Sequence, residues 1–144
     1  MTTFLKNRDM KFSFHLLLTC IALTACGESG KTTADYRIVP RPGEIAPGDG
    51  GDFELDARTR IVCTGDGDGM RANAEFLAGY VESVVGSAPE ITGPDGLCDD
   101  GRAVILRADA PGKGGEAYEI EVSENRITVS GGSAAGVFYG IQTL

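Results

Sequence analysis

The sequence contains no tryptophan and only one histidine, His15, among its 144 residues. Histidine is the side chain that most often moves protons in catalysis near neutral pH. His15 lies in an N-terminal segment that we expect to be removed during export, which leaves a mature chain without histidine. This absence excludes many catalytic schemes.

Basic residues are few relative to acidic ones. The chain has 13 Lys and Arg against 21 Asp and Glu, a formal net charge of −8. An acidic surface repels nucleic acid, and no basic patch with interleaved aromatic residues offsets that repulsion. We therefore expect no nucleic-acid partner and no function that depends on one.

Long apolar runs are limited to the segment from Phe12 to Ala25, which is too short to remain as a membrane-spanning helix. Lys6, Arg8 and Lys11 precede or begin it, which is the pattern of an export signal. We assign residues 1–25 to a signal peptide. Translation begins at Met1 or at Met10, because either start gives a signal of ordinary length.

The signal closes on Leu23-Thr24-Ala25-Cys26-Gly27, which resembles the lipobox of bacterial lipoproteins. The resemblance implies cleavage before Cys26, lipidation of Cys26, and anchoring in the bacterial cell envelope, facing the periplasm or the cell surface. The polar residues 26–35 then form a flexible tether to the folded body. The alternative is an ordinary secretory signal in which Cys26 occurs by chance.

Two further cysteines, Cys63 and Cys98, lie in the exported part of the chain. Disulfides persist in such compartments, so the two either form a bridge or remain partly buried free thiols. Neither has the neighbours of a metal site. The segment Asp66-Gly67-Asp68-Gly69 alternates acidic residues with glycine but lacks the later ligands of a calcium loop, so we interpret it as a turn before a helix. We predict no metal and no cofactor.

Hydrophobic periodicity predicts strands and helices across residues 36–144. The expected order is a short β-type run at Tyr36–Pro40, one or two strands within residues 53–63, a helix over Met70–Val85, a strand at Ala103–Leu106, a hairpin formed by residues 118–122 and 127–129, and a helix from Ser133. The helix stripe comprises Met70, Ala74, Leu77, Val81 and Val84. This order predicts an α/β or α+β sheet with helices packed on it.

The last stretch carries the most specific signal in the chain. Tyr118-Glu119-Ile120 and Ile127-Thr128-Val129 precede Gly131-Gly132-Ser133 and then Phe138-Tyr139-Gly140-Ile141-Gln142-Thr143-Leu144. This pattern, together with Ile38-Val39-Pro40-Arg41-Pro42, resembles the non-catalytic N-terminal domain of glycoside hydrolase family 20, the β-N-acetylhexosaminidases. Related domains precede the barrels of α-glucuronidases and of family 84 hexosaminidases.

The resemblance implies a mixed or antiparallel sheet with helices on one face, within residues 36–144. It also implies a following (β/α)₈ barrel that carries the chemistry and binds the glycan, hydrolysing terminal N-acetylhexosamines with the substrate's acetamido oxygen as nucleophile. The Asp, Glu and Trp residues of that chemistry have no counterparts here, so no catalytic residue is assigned and we expect the chain alone to be inactive. The alternative is a stand-alone lipoprotein that binds a glycan or a partner.

Four other features of the sequence are explained more simply by structure or solubility than by a binding or catalytic site. Gly131-Gly132-Ser133 offers an anion-binding helix start, but Ser133 as an N-cap explains it better. Phe138 and Tyr139 are expected to pack rather than to stack on sugars. The glycine-rich residues 112–115 lack the spacing of a phosphate loop. The carboxylate pairs Asp99-Asp100 and Glu119/Glu121 are expected to serve solubility.

The apolar stripe of the final helix runs through Ala134, Val137, Ile141 and Leu144, and no helix-stop signal follows. We therefore expect a helix that continues past residue 144 into the barrel domain. The isolated chain would then expose apolar surface, with weak stability or aggregation as the consequence.

Overall fold

The computed structural model describes residues 35–38, 41–48, 51–97, 101–110 and 114–144. All of them belong to one compact unit, Ala34–Leu144. The elements, in chain order, are β1 (Arg60–Cys63), α1 (Asp68–Val85), β2 (Ile91–Thr92), β3 (Ala103–Arg107), β4 (Tyr118–Ser123), β5 (Arg126–Gly131) and α2 (Ala134–Ile141), with a 3₁₀ turn at Pro94–Gly96. Within these described ranges, neither helix is long and apolar enough to cross a membrane.

The strands form one mixed five-stranded sheet in the order β2-β1-β3-β5-β4. β1 runs parallel to both β2 and β3, and β3 runs parallel to β5. β4 pairs antiparallel with β5, because the Ser123–Arg126 turn returns the chain directly alongside itself. The predicted α+β architecture with a mixed sheet is confirmed.

Both helices cover the same face of this sheet, as predicted. The core between them is formed by aliphatic residues of α1, α2 and the three central strands: Ile61, Met70, Ala74, Leu77, Ala78, Val81, Val104, Leu106, Val129, Val137 and Ile141. Because side chains alternate along a strand, Val62, Ala103 and Ile105 point to the opposite face. β3 is therefore buried on both faces, as its continuous apolar run predicts.

Helix α1 differs from its prediction at its start and in its buried stripe, but not at its end. It begins at Asp68, two residues before the predicted start, and its N-cap is Gly67 without a side-chain hydrogen bond. Val84 was expected on the buried stripe but is 63% exposed, whereas Asn73 is buried. The helix ends where expected, since Gly86 adopts the left-handed conformation and donates its N–H to the Glu82 carbonyl.

The N-terminal part of the folded unit departs from the predicted strands. Residues 35–38 and 51–56 adopt no regular secondary structure, and Val39 and Pro40 of the predicted first strand lie outside the described residues. Phe53 and Leu55 nevertheless pack against the main core. Their alternating pattern marks a segment with one buried side, but none of the strands in the described ranges pairs with its backbone. Between the predicted helix and the predicted strand at Ala103–Leu106, the structure adds the short strand β2 and the 3₁₀ turn, for which the sequence predicts no element.

Helix α2 ends at Ile141, with Gln142 as its C-cap, and Thr143 follows in a turn. Gln142 keeps right-handed helical backbone angles and donates its N–H to the Phe138 carbonyl, so continuation of the helix past residue 144 stays a prediction. Leu144 is 46% exposed and does not complete the buried stripe. The hydroxyls of Tyr118 and Thr143 lie 2.7 Å apart, within hydrogen-bonding distance. This contact joins the end of α2 to the start of β4.

Candidate functional site

Helices α1 and α2 lie side by side and form one layer on the sheet. The outer surface of this layer carries exposed aromatic side chains. The amide Nδ2 of Asn73 donates to the Ala134 carbonyl at 2.8 Å, which joins the middle of α1 to the first turn of α2. The rings of Phe76 and Phe138 lie 5.5 Å apart at a tilt of 59°. Such a tilted pair is a favourable aromatic contact and fixes the two helices side by side.

Large side chains remain exposed along this layer. Phe76 is 48% exposed, Tyr80 is 57% exposed and Tyr139 is 45% exposed, and Phe138 is half-buried between Phe76 and Tyr139. We call Phe76, Tyr80, Phe138 and Tyr139 the helix-face patch. Phe76 and Tyr80 are one turn apart and so share one side of α1. Phe138 packs against its neighbours as predicted, whereas Tyr139, which was also expected to pack, is 45% exposed. The outer edge of the patch has no covering element within the described residues.

Local sequence chemistry sets the position of the α2 part of this patch. Ser133 is the N-cap, and its Oγ accepts hydrogen bonds from the N–H groups of Ala135 and Gly136 at 3.2 and 3.4 Å. The same hydroxyl donates to the Gly115 carbonyl in the loop before β4. The N-cap interpretation is confirmed, because the side chain already satisfies the helix start that an anion would need.

The carboxylate pairs that the sequence suggested do not form an acid–base pair among the described residues. Glu119 and Glu121 lie on β4 opposite Ser130 and Thr128, on the face of the sheet without helices. The carboxyl groups with shifted pKa values are those hydrogen-bonded to arginine: the side chains of Arg37, Arg58 and Arg107 lower the pKa of Asp35, Asp56 and Asp109, respectively. A lowered pKa disfavours the protonated form that a general acid requires.

Metal-binding clusters are likewise missing from the described ranges. Cys63 is half-buried and forms no disulfide with another described residue, and its Sγ lies 3.5 Å from the Gly65 carbonyl. Cys98 and the proposed lipidation site Cys26 lie outside the described residues, as do Asp99 and Asp100. The disulfide and the lipid anchor therefore stay predictions.

Sequence reasoning identified Phe138 and Tyr139 but missed Phe76 and Tyr80. Phe76 and Tyr80 lie three residues after the buried residues Asn73 and Leu77, respectively. Both nevertheless fall just outside the apolar stripe that the periodicity predicts. Two aromatic residues one turn apart, outside the buried stripe, are the signal that identifies them. The pairing with α2 is a tertiary contact and required the structure.

Comparison with known proteins gives a consistent result. Residues 35–144 match the family described as "Glycosyl hydrolase family 20, domain 2". Over 110 residues the chain is 30% identical to a β-N-acetylhexosaminidase of Cellulomonas fimi, which is 76% of this chain and 22% of that protein.

Solved structures agree with this match. The family 20 β-N-acetylhexosaminidase of Streptomyces coelicolor A3(2) superposes with a TM-score of 0.64 at 26% identity, over 76% of this chain and 21% of that one. A mutant β-hexosaminidase of Streptomyces plicatus, in complex with its product GlcNAc, gives 0.62 at 25% identity, over 75% and 20%. The chain thus spans about a fifth of the length of the relatives it matches.

Proposed function

The chain belongs to glycosyl hydrolase family 20, domain 2, a non-catalytic domain of β-hexosaminidases, and we propose that it serves as the accessory domain of a cell-envelope β-N-acetylhexosaminidase. The whole enzyme removes terminal N-acetylhexosamine from glycans by the substrate-assisted retaining mechanism, an exception to the two-carboxylate scheme. The chemistry resides in a barrel domain, and the present chain contributes no catalytic residue.

The observation that carries this proposal is the helix-face patch. Three of its four side chains are between 45% and 57% exposed, although they lie next to a well-packed core. Clustered exposed aromatic residues mark protein interaction sites more often than isolated ones do. We propose that the catalytic barrel of the same enzyme covers this patch, with Phe76 and Tyr80 as the central contacts.

The distribution of charged side chains also supports contact between the helix-face patch and the barrel. Arginine–carboxylate pairs lie away from the patch: Arg58 and Arg102 bind Asp56 before β1, and Arg107 binds Asp109 after β3. The patch itself presents two phenylalanine rings and two tyrosine phenols, which suits the depletion of charge in the centre of protein interfaces. This distribution favours a protein partner over a charged surface.

The cellular location is proposed from the sequence. Cleavage before Cys26 and lipidation of that residue would hold the enzyme at the membrane, with residues 26–35 as the tether. Labelling cells with a radioactive fatty acid tests this step, with Cys26→Ser as the control variant. Label in the wild-type protein alone is expected, whereas equal label in both proteins would refute lipidation at Cys26.

The proposed function is tested by measuring activity and domain contact together. The 144-residue chain is expected to release no chromophore from a chromogenic N-acetylglucosaminide. The gene's complete product is expected to hydrolyse it. In that complete product, Phe76→Ser with Tyr80→Ser should make the two domains separable by limited proteolysis, because both central contacts lose their rings.

Tyr36→Ser is the matched control, since Tyr36 is 46% exposed and lies outside the helix layer. It should leave the protease pattern unchanged. Turnover by the 144-residue chain would refute the non-catalytic assignment. Equal protease resistance of the double variant and the wild type would refute the helix-face patch as the contact. Binding of free glycan at the patch, detected by titration of the chain, would instead favour the stand-alone glycan-binding alternative.

A further inference from the structure

A shallow cavity of about 400 Å³ lies on the face of the sheet that carries no helix. It lies above β3 and β5, where Ile105 and Thr128 are direct neighbours in the parallel register. Its lining combines aliphatic, hydroxyl, carboxylate and guanidinium groups, namely Leu97, Ile105, Arg107, Asp109, Arg126 and Thr128. A volume of this order is within the range of small-molecule sites in proteins.

The two arginines of the cavity are in different electrostatic situations. Arg107 is engaged by Asp109, with Nε to Oδ1 at 3.1 Å and Nη2 to Oδ2 at 3.2 Å. That fork and the nearby Glu121 raise the pKa of Arg107. Arg126, by contrast, makes no side-chain ion pair with another described residue, and its Nε is buried without a hydrogen-bond partner there.

An arginine with unused donors beside an apolar floor favours a particular ligand chemistry. Ile105 is 6% exposed and forms the floor, and Leu97, 40% exposed, offers an apolar wall. Guanidinium groups bind carboxylates through two parallel hydrogen bonds. The neutralised Arg107–Asp109 pair and the Thr128 hydroxyl suit the hydroxyl groups of a sugar, since together they supply both donors and acceptors.

We propose that this cavity binds a sugar residue that carries a carboxylate, with Arg126 bound to the carboxylate and the ring against Ile105. The idea rests on the proposed function, because a sugar ligand is expected of an accessory domain in a glycan-hydrolysing enzyme. The cavity and the helix-face patch are on opposite faces of the sheet. A ligand in the cavity therefore leaves the contact with the barrel free.

The test is a titration of the 144-residue chain, in a mild detergent, monitored by ¹H–¹⁵N NMR. The three probes are glucuronate, glucose and acetate, which separate the carboxylated sugar from the neutral ring and from the free carboxylate. Glucuronate is expected to shift the amide signals of residues 105–107 and 126–128 and to bind more tightly than either of the others. Arg126→Gln should weaken glucuronate binding about tenfold or more, which is the worth of one charge-assisted interaction.

Arg71→Gln is the matched control, because Arg71 is an exposed residue of α1 and its loss changes the net charge equally. It should leave glucuronate affinity unchanged. Arg126→Lys keeps the charge without the planar fork and should restore only part of the affinity. The NMR spectra of the free variants establish that each one is folded.

Four results would overturn the proposal: no binding of glucuronate, equal binding of glucose, equal binding of acetate, or equal affinity of wild type and Arg126→Gln. Each of these leaves the proposed accessory function intact, since that function is tested by hydrolysis and by proteolysis at the opposite face. Conversely, loss of the helix-face contact in the proteolysis experiment does not change the expected titration.

Discussion

The close approach of α2 to the β4 strand gives a sharp prediction about glycine. A Cβ added at Gly136 would lie 2.5 Å from the Ala117 carbonyl oxygen, and this is a backbone atom that cannot rotate away. Gly79, in the exposed middle of α1, is a matched control because an added Cβ there would have no atom within 4 Å. The same Gly→Ala change is thus expected to have opposite effects at the two positions.

The magnitudes follow from two opposing contributions. Alanine stabilises a helix interior by about 1 kcal/mol relative to glycine, so Gly79→Ala should stabilise the fold by about 0.5–1 kcal/mol. At Gly136 the same gain is offset by overpacking, which typically costs about 1–3 kcal/mol and falls at the upper end when the obstacle is backbone. We expect Gly136→Ala to destabilise the fold by about 2 kcal/mol.

Urea unfolding of the two variants and the wild type, followed by far-ultraviolet circular dichroism, measures these differences. The midpoint should rise for Gly79→Ala and fall for Gly136→Ala, with similar slopes for all three proteins. Equal stabilisation by both substitutions would refute the inferred contact between α2 and the segment before β4. A changed slope would indicate an altered denatured state and would be checked by thermal unfolding.

Three further predictions concern the same folded unit. Ser133→Ala should destabilise it by about 1 kcal/mol in urea unfolding, because the α2 N-cap is lost, and a loss below the measurement error would refute the cap's contribution. Leu106→Ala should cost about 2–5 kcal/mol, since Leu106 is fully buried, whereas Val122→Ala at a 54% exposed position should cost far less; similar losses would contradict the described core. The pKa values of Asp56 and Asp109 are lowered from 3.8 by their arginine partners, so their contribution to stability is present above the unfolded pKa and is lost as the pH falls through the lower folded pKa. Urea midpoints should therefore decline below about pH 4, and Asp56→Asn with Asp109→Asn should decline less steeply; parallel curves would refute this contribution.

Local patterns were sufficient for the main helices and for the hairpin. The spacing of Met70, Ala74, Leu77 and Val81 predicts α1, and Gly86 predicts its end, because both signals arise within a few residues of the chain. The alternation in β4 and the turn at 124–125 likewise define the β4–β5 pair. These interactions are short-range, so a local stretch of sequence is sufficient to predict them.

Long-range pairing could not be read in the same way. β2 has only two residues and exists because Ile91 and Thr92 pair with Ile61 and Val62 of β1, about thirty positions earlier. Conversely, Phe53 and Leu55 alternate like a strand but find no partner strand, and only their packing against the core is realised. Strand identity depends on a neighbour, which periodicity alone does not supply.

The helix-face patch likewise contains residues that the sequence indicates and residues that only the structure reveals. Phe138 and Tyr139 lie in the C-terminal stretch that resembles family 20 domains, so the sequence alone indicates them. Phe76 and Tyr80 joined them only through the 5.5 Å contact between Phe76 and Phe138. Burial of Asn73 was also missed, because its amide is satisfied by the Ala134 carbonyl of another helix. A polar residue on a core face is accepted when such a partner exists, and the partner lies sixty-one positions away.

The central claim is that this domain accompanies a family 20 catalytic barrel. The reading frame after the codon for Leu144 tests that claim most directly. We predict that the frame continues into a barrel domain with an adjacent Asp-Glu pair and tryptophans near its strand ends. A stop codon directly after Leu144 in the intact gene, with no barrel encoded, would contradict it and favour a stand-alone lipoprotein.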